Sequence, residues 1–274
     1  MNSNCAGSAT PGDPRRRVST VYGRGGQTPR FSIGPPITPP VVKNLLIAIG
    51  VIFVAQYVIF GPGVTRDFSV QSVSVWQAGY FWQPFTYMWL HGSFGHVLLN
   101  GFVLWMFGSQ VAMAWGARRF LRFYLVCGVG AGFLISLWPY VAVELDMASP
   151  LALGVSTLGA SGAIYGVMLA YSLTWPDRTI MLIFPPVAFR AIWLIPIVFG
   201  MTLFMSGSNV SHVGHLGGVL VGWIYLRFSG KAGPLFSVKH LRYRWQRYRM
   251  RRNLRTVQTE DMKRRQRRND RTIH

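Results

Sequence analysis

The sequence is poor in acidic residues and almost without cysteine. Only 8 of its 274 residues are Asp or Glu, against 28 Lys or Arg, and charged side chains make up 13% of the chain. Because a typical soluble domain carries about 25% charged residues, this composition is unsuited to an ordinary soluble surface. Cys5 and Cys127 are too few for a disulfide framework and lack the spacing of metal ligands. We therefore expect no disulfide-stapled domain, no bound metal and no cofactor.

Apolar residues make up 50% of the chain and are gathered into long runs. A helix that spans a bilayer needs roughly 17–25 mostly apolar residues. Six runs approach this requirement, and Gly, Ser or His residues interrupt the last three. The pattern predicts an all-α membrane protein with six transmembrane helices, over residues 41–60, 96–115, 120–143, 158–175, 190–205 and 212–228.

The two ends of the chain differ in composition from the apolar centre, residues 41–228. Residues 1–40 are rich in Pro, Gly, Ser and Arg, which predicts a disordered, basic N-terminal arm. Residues 229–274 contain 15 Lys or Arg and 3 Asp or Glu, interleaved with aromatic residues. A basic run beside a membrane favours contact with anionic lipids. Nucleic-acid binding is the alternative reading of this tail, and we do not expect it.

The distribution of Lys and Arg predicts the orientation, because these residues are enriched in cytoplasmic connections. Six lie from residue 1 through Lys43, and Arg118, Arg119 and Arg122 lie in and directly after the link between the second and third spans. The connections on the opposite side are nearly free of basic residues. We expect both termini to be cytoplasmic, in a multi-pass protein of a bacterial plasma membrane.

Three polar residues are predicted to lie at a similar shallow depth. Spans two, four and six would all start from the extracytoplasmic side. Asn100, Ser161 and His215 each lie four residues beyond a residue at that end of their span. Four residues of helix rise about 6 Å, so all three would lie near the membrane surface, where water can reach them. The pattern indicates a site that opens to the extracytoplasmic side.

Glycine spacing predicts that the fourth and sixth spans pack closely. Gly162 and Gly166 are four residues apart beside Ser161, and Gly218 and Gly222 are four residues apart after His215. Small residues at this spacing let two helix backbones approach. A serine hydroxyl on one helix would then reach an imidazole on the other.

The chemistry that these residues allow is nucleophilic acyl transfer. A serine hydroxyl needs a base to accept its proton, and His215 is the candidate; His212, one turn nearer the loop, is a less favoured alternative. His96 and Asn100, with the Ser161 amide, offer donors for the oxyanion of a tetrahedral intermediate. Acidic residues are absent from the sequence around His215, which favours a Ser–His dyad over a triad.

Three motifs in this order resemble those of rhomboid intramembrane serine proteases. They are His91 with His96 and Asn100, then Gly159-Ala160-Ser161-Gly162 with Tyr165, then Ser211-His212-Val213-Gly214-His215 with Gly218 and Gly222. The resemblance covers about residues 41–228. One position departs from the family pattern, because Gln83 follows Phe81 and Trp82 where an arginine is common.

This resemblance implies a six-helix bundle in which a short fourth helix opens into a water-filled cavity. It implies hydrolysis of membrane-protein substrates, in or near their transmembrane segments, with Ser161 as nucleophile and His215 as base. His96 and Asn100 would hold the oxyanion, His91 and Gly159 would support them, and Tyr165 would stack on His215.

Two other functions remain open at this point. A rhomboid-like protein without activity would bind membrane segments, but such a protein should lack the serine or the histidine. A transporter can also place His and Asn within the membrane, and it often shows an internal repeat. No convincing repeat is visible between the two halves of this sequence, and the polar residues cluster towards one side.

Overall fold

The structure is a computed structural model, and it describes residues 34–35, 37–61, 63–181, 186–205 and 211–229. Almost all of the predicted arm, 1–40, and of the predicted tail, 229–274, lies outside the described residues.

The described chain is mainly helical. Its α-helices are α1 (Pro40–Ala55), α2 (Gly63–Phe68), α3 (Ser72–Trp76), α4 (Gln83–Thr86), α5 (Phe94–Val103), α6 (Ser109–Trp115), α7 (Ala117–Glu144), α8 (Ser161–Thr174), α9 (Leu194–Met205) and α10 (His212–Phe228). Short 3-10 helices cover Tyr87–Trp89, Pro150–Gly154 and Ala191–Trp193. Wider π-helical turns extend α1 over Gln56–Phe60 and join α5 to α6 over Leu104–Gly108.

Three predicted spans are confirmed as helices long and apolar enough to cross a membrane. They are the continuous helices Pro40–Phe60, Phe94–Trp115 and Ala117–Glu144, of 21, 22 and 28 residues. The other three predicted segments also contain helices, but α8, α9 and α10 have 14, 12 and 17 residues. The helices α8 and α9 fall below the roughly 17–25 residues of a full span, and α10 lies at the lower end of that range.

The start of the predicted fifth span, 190–205, is wrong. Thr179–Met181 (β1) and Ala188–Arg190 (β2) form an antiparallel pair, with Ile180 opposite Phe189. A 3-10 turn follows, and the N–H of Ala191 donates to the carbonyl of Arg178. These bonds keep the first residues of the predicted span out of the helix, which begins at Leu194.

The start of the predicted fourth span, 158–175, is also wrong, because α8 begins at Ser161. Thr157 pairs with Val70 through two backbone hydrogen bonds of 2.9 Å, so the chain before the helix is extended. Gly159 then adopts a φ of 123°, which lies outside the helical region. Its N–H donates to the carbonyl of Tyr87 at 2.9 Å. Ser161 is therefore the first residue of its helix and does not lie one turn inside it.

The centre of the bundle consists of α7, α8 and α10, which pack more extensively against one another than any other helices. Ten residues of α8 are buried. By contrast, Leu194 is the only buried residue among the described side chains of α9. The helix that carries Ser161 is thus the most enclosed, and α9 lies at the periphery.

Candidate active site

Ser161 and His215 are in hydrogen-bonding contact. The Nε2 atom of His215 lies 3.0 Å from the Oγ atom of Ser161. His215 is 6% exposed, and the ring of Tyr165 stacks on it with centroids 4.2 Å apart and planes inclined by 13°. Tyr165 lies one turn beyond Ser161 on α8, so one helix supplies both the hydroxyl and the surface that orients the imidazole.

The four predicted packing glycines bring α8 and α10 together. A Cβ atom on Gly218 would overlap the backbone carbonyl of Gly162, and one on Gly222 would lie 3.3 Å from the Cα of Gly166. Contacts of this kind leave no room for a side chain between the two backbones. The short distance between Ser161 and His215 therefore depends on the absence of side chains one turn further along each helix.

A capping serine fixes the first turn of α5 and the first turn of α10, the two helices that carry His96 and His215. The Oγ atom of Ser93 accepts the N–H of His96 at the start of α5, and Ser211 accepts the N–H of Gly214 at the start of α10. Such caps satisfy backbone donors that have no partner within the helix. They hold the turns from which His96 and His215 project.

His96 and Asn100 lie on α5, on the side of the site next to Gly159. A Cβ atom on Gly159 would lie 2.7 Å from Cε1 of His96, so the imidazole packs directly on the backbone two residues before Ser161. Asn100, one turn along α5, is 6% exposed. Within the described residues its Nδ2 atom has no hydrogen-bond partner. An unpaired buried donor of this kind is costly unless it serves a ligand or a transition state.

His91 supports His96 by ring contact. Its side chain is fully buried, and the two rings meet edge to face with centroids 5.1 Å apart. Burial and then the neighbouring His96 lower the pKa of His91 to about 4. The ring is therefore neutral at pH 7.

His212 is placed differently from His215. Its ring lies edge-on to those of Phe199 and His215, with centroids 6.0 and 6.5 Å away. The nitrogen within hydrogen-bonding distance of Ser161 belongs to His215.

Gln83 is fully buried and ties together the loop between α1 and α4. Its Oε1 atom accepts the N–H of Gln71 at 3.1 Å, and its Nε2 atom donates to the carbonyl of Asp67 at 3.2 Å. The neutral amide thus uses both ends to hold the loop. This gives a structural role to the position at which the family pattern commonly has arginine.

Sequence reasoning missed Gln56, a buried amide at the end of the first span. It hydrogen-bonds to both backbone groups of His91, at 3.1 Å each. One signal was available, because a lone polar residue inside an apolar run marks a functional position.

The arrangement provides the parts of a serine acyl-transfer site. A hydroxyl in contact with a buried imidazole can lose its proton as it attacks a carbonyl. Ser161 opens a helix, and the amides at a helix N-terminus attract negative charge. Among the described residues no group of three or more His, Cys, Asp or Glu is placed to hold a metal ion.

Comparison with known proteins shows the family of this chain. The profile of the rhomboid domain matches residues 78–231. The chain is 31% identical over 145 residues to "Rhomboid protein 1, mitochondrial" of Saccharomyces cerevisiae, covering 52% of this chain and 40% of that protein. It is 27% identical over 193 residues to "Rhomboid protease GluP" of Bacillus subtilis, covering 67% and 34%. It is 26% identical over 225 residues to "Rhomboid protease GlpG" of Yersinia pestis, covering 79% and 69%.

The relatives come from mitochondria and bacteria, so they do not support the expectation of a bacterial plasma membrane in particular. The chain spans less than half the length of the yeast and Bacillus proteins. The rhomboid profile nevertheless covers more than half of the chain and includes Ser161 and His215. The protein is therefore a membrane protein of the rhomboid family.

Proposed function

We propose that this protein is an intramembrane serine endopeptidase that uses a Ser161–His215 dyad. The observation that carries the proposal is the 3.0 Å separation between His215 Nε2 and Ser161 Oγ. Two of the relatives carry the word protease in their names, which supports the same reaction.

In the first half of the reaction, Ser161 Oγ forms a bond to the carbonyl carbon of the substrate. The hydroxyl proton passes to Nε2 of His215, so before attack the ring proton must be on Nδ1. The carbonyl oxygen becomes an oxyanion, which the Ser161 N–H and the side chains of His96 and Asn100 stabilise. When the C–N bond breaks, His215 returns the proton to the leaving amine, and an acyl-enzyme remains.

In the second half, water attacks the acyl-enzyme and gives up a proton to His215. The oxyanion forms again at the same donors. Collapse of the intermediate returns the proton to Ser161 and releases the new carboxyl end. Stacking of Tyr165 on His215 keeps the imidazole in one orientation through both halves.

We propose six membrane-crossing helices with both termini in the cytoplasm, so that Ser161 lies near the opposite surface. Substrates are then membrane proteins cut near the extracytoplasmic end of a span. A helical substrate must unwind before attack, and Gly or Pro lowers the cost of unwinding. The cut should fall beside such residues.

Cleavage of a panel of single-span proteins by the purified protein in lipid vesicles tests the proposal. The variants Ser161→Ala and His215→Ala should each lose at least about 1,000-fold in turnover, and the double variant should be little worse than either. Mass spectrometry of the fragments locates the cut. Substantial activity in a folded single variant would refute the dyad, and a cut at the cytoplasmic end would refute the orientation.

A further inference from the structure

The π-helical turn at the end of α1 faces the segment that leads into α5. Gln56 opens this turn and is 5% exposed. π-helical turns are rare and occur frequently at functional sites. The proposed mechanism gives no role to Gln56, although this amide is buried beside the site.

The amide of Gln56 makes three hydrogen bonds. Its Oε1 atom accepts the N–H of His91 at 3.1 Å, and its Nε2 atom donates to the carbonyl of His91 at 3.1 Å. The same Nε2 atom donates to Oγ1 of Thr65 on α2 at 3.3 Å. The adjacent Tyr57 donates its hydroxyl to the carbonyl of Gly92 at 2.8 Å. The side chains of Gln56 and Tyr57 therefore bind the backbone of two consecutive residues, 91 and 92.

The segment that Gln56 and Tyr57 bind, residues 91–92, lies next to His96, one of the proposed oxyanion donors. The ring of His91 meets the ring of His96 edge to face, and Ser93, two residues beyond His91, caps α5 through the N–H of His96. A displacement of the His91 backbone would thus reach the His96 ring along two short routes, one through ring packing and one through the cap.

We infer that Gln56 is a positioning residue that holds His91, and through it His96, in the geometry needed to stabilise the oxyanion. This inference rests on the proposed function. Within the part of the chain that the structure describes, the Gln56 amide hydrogen-bonds to Thr65 and to the backbone of His91, so it acts through the His91 backbone. An amide suits this task because it donates and accepts at once.

The first test compares Gln56→Leu with the matched control Gln77→Leu. Gln77 is an exposed amide bonded to the hydroxyl of Tyr140. Displacements of about 1 Å can cost about 100-fold in rate. We expect Gln56→Leu to lower kcat by roughly 10- to 100-fold with KM changed less than about 3-fold. Gln77→Leu should match the wild type.

The second test uses Gln56→Glu, which keeps the shape of the side chain. Ionised, the introduced carboxyl group accepts from the N–H of His91 but donates nothing to its carbonyl; protonated, it does both. Burial raises the pKa of such a group. The activity of Gln56→Glu relative to wild type should therefore rise as the pH falls from 8 to 5.5, while that of Gln56→Leu relative to wild type stays constant.

The titratable or charged side chains near this amide are Tyr57 on the same turn, His91 across from it, and Arg66 and Asp67, which follow Thr65 on α2. Because the pKa of His91 is about 4, its ring stays neutral throughout. Dividing the activity of each variant by the wild-type activity at the same pH cancels the effect that titration of His215 has on both proteins.

The outcomes separate this inference from the proposed function. Absence of Ser161-dependent hydrolysis in the wild type refutes both. An active wild type with unimpaired Gln56→Leu, or with a constant relative activity of Gln56→Glu, refutes only the inference. If Gln56→Leu fails to fold, the pH dependence of the relative activity of Gln56→Glu still tests the inference, because that comparison is made within one folded variant.

Discussion

Two sides of the candidate site are held by different kinds of contact. On one side, α8 and α10 meet through glycine backbones, and the Ser161–His215 distance follows from that close approach. On the other side, polar groups hold the segment before α5, through Gln56 at His91 and Ser93 at the helix start. The first side should therefore be sensitive to added volume, and the second to the loss of a donor or an acceptor.

Gly218→Val should have the largest effect, because it adds volume where α10 touches the carbonyl of Gly162. Overpacking typically costs 1–3 kcal/mol. Separation of the two helices should also lower cleavage by at least about 100-fold. Thermal unfolding and turnover measure the two effects. The matched control is Gly50→Ala in α1, where a new Cβ meets nothing within 4 Å. Wild-type activity in Gly218→Val would contradict the packing account.

Asn100→Leu tests the polar side at its buried donor. Removing one oxyanion donor typically lowers turnover by about 100- to 1,000-fold. We expect a loss in this range in kcat, with KM nearly unchanged, because the donor acts on charge that develops only in the transition state. Asn44→Leu, at an exposed amide of α1, should leave kcat unchanged. An equal loss in both variants would point to a general effect on α-helix packing.

Gln83→Met tests the buried amide that holds the first loop. The change removes the acceptor of the Gln71 N–H, whereas the carbonyl of Asp67 keeps the indole N–H of Trp82 as a donor. A lost hydrogen bond costs about 0.5–1.5 kcal/mol, so the unfolding temperature should fall. Gln77→Met, at an exposed position, should not lower it. Equal unfolding temperatures in the two variants would show that the Gln83 amide does not stabilise the loop.

His212→Phe should have the smallest effect. The ring of His212 packs edge-on against Phe199 and His215, and an aromatic replacement preserves that packing. Turnover should stay within about 3-fold of the wild type, since the base in contact with Ser161 is unchanged. A loss as large as that of His215→Ala would mean that His212 is the base.

For one part of the candidate site, the signals in the sequence are local. The spacing of Gly162, Gly166, Gly218 and Gly222 predicts a close interface, and helices at these positions meet in the structure. The first three spans were also predicted, since long apolar runs leave few alternatives.

Tertiary contacts decided what the sequence did not predict. The start of α8 depends on the pairing of Val70 with Thr157 and on the bond from Gly159 to Tyr87. The start of α9 depends on the pairing of β1 with β2. The role of Gln56 depends on His91, 35 residues away. None of these partners is visible in a local pattern.

Labelling with a fluorophosphonate probe tests the Ser161–His215 dyad without a known substrate, because the probe reacts with an activated serine. We expect one labelled site, mapped to Ser161 by mass spectrometry of the peptides. Ser161→Ala should abolish the label, and His215→Ala should slow labelling by at least about 100-fold because the hydroxyl loses its base. Labelling of a different serine, or equal rates in the wild type and His215→Ala, would refute the dyad.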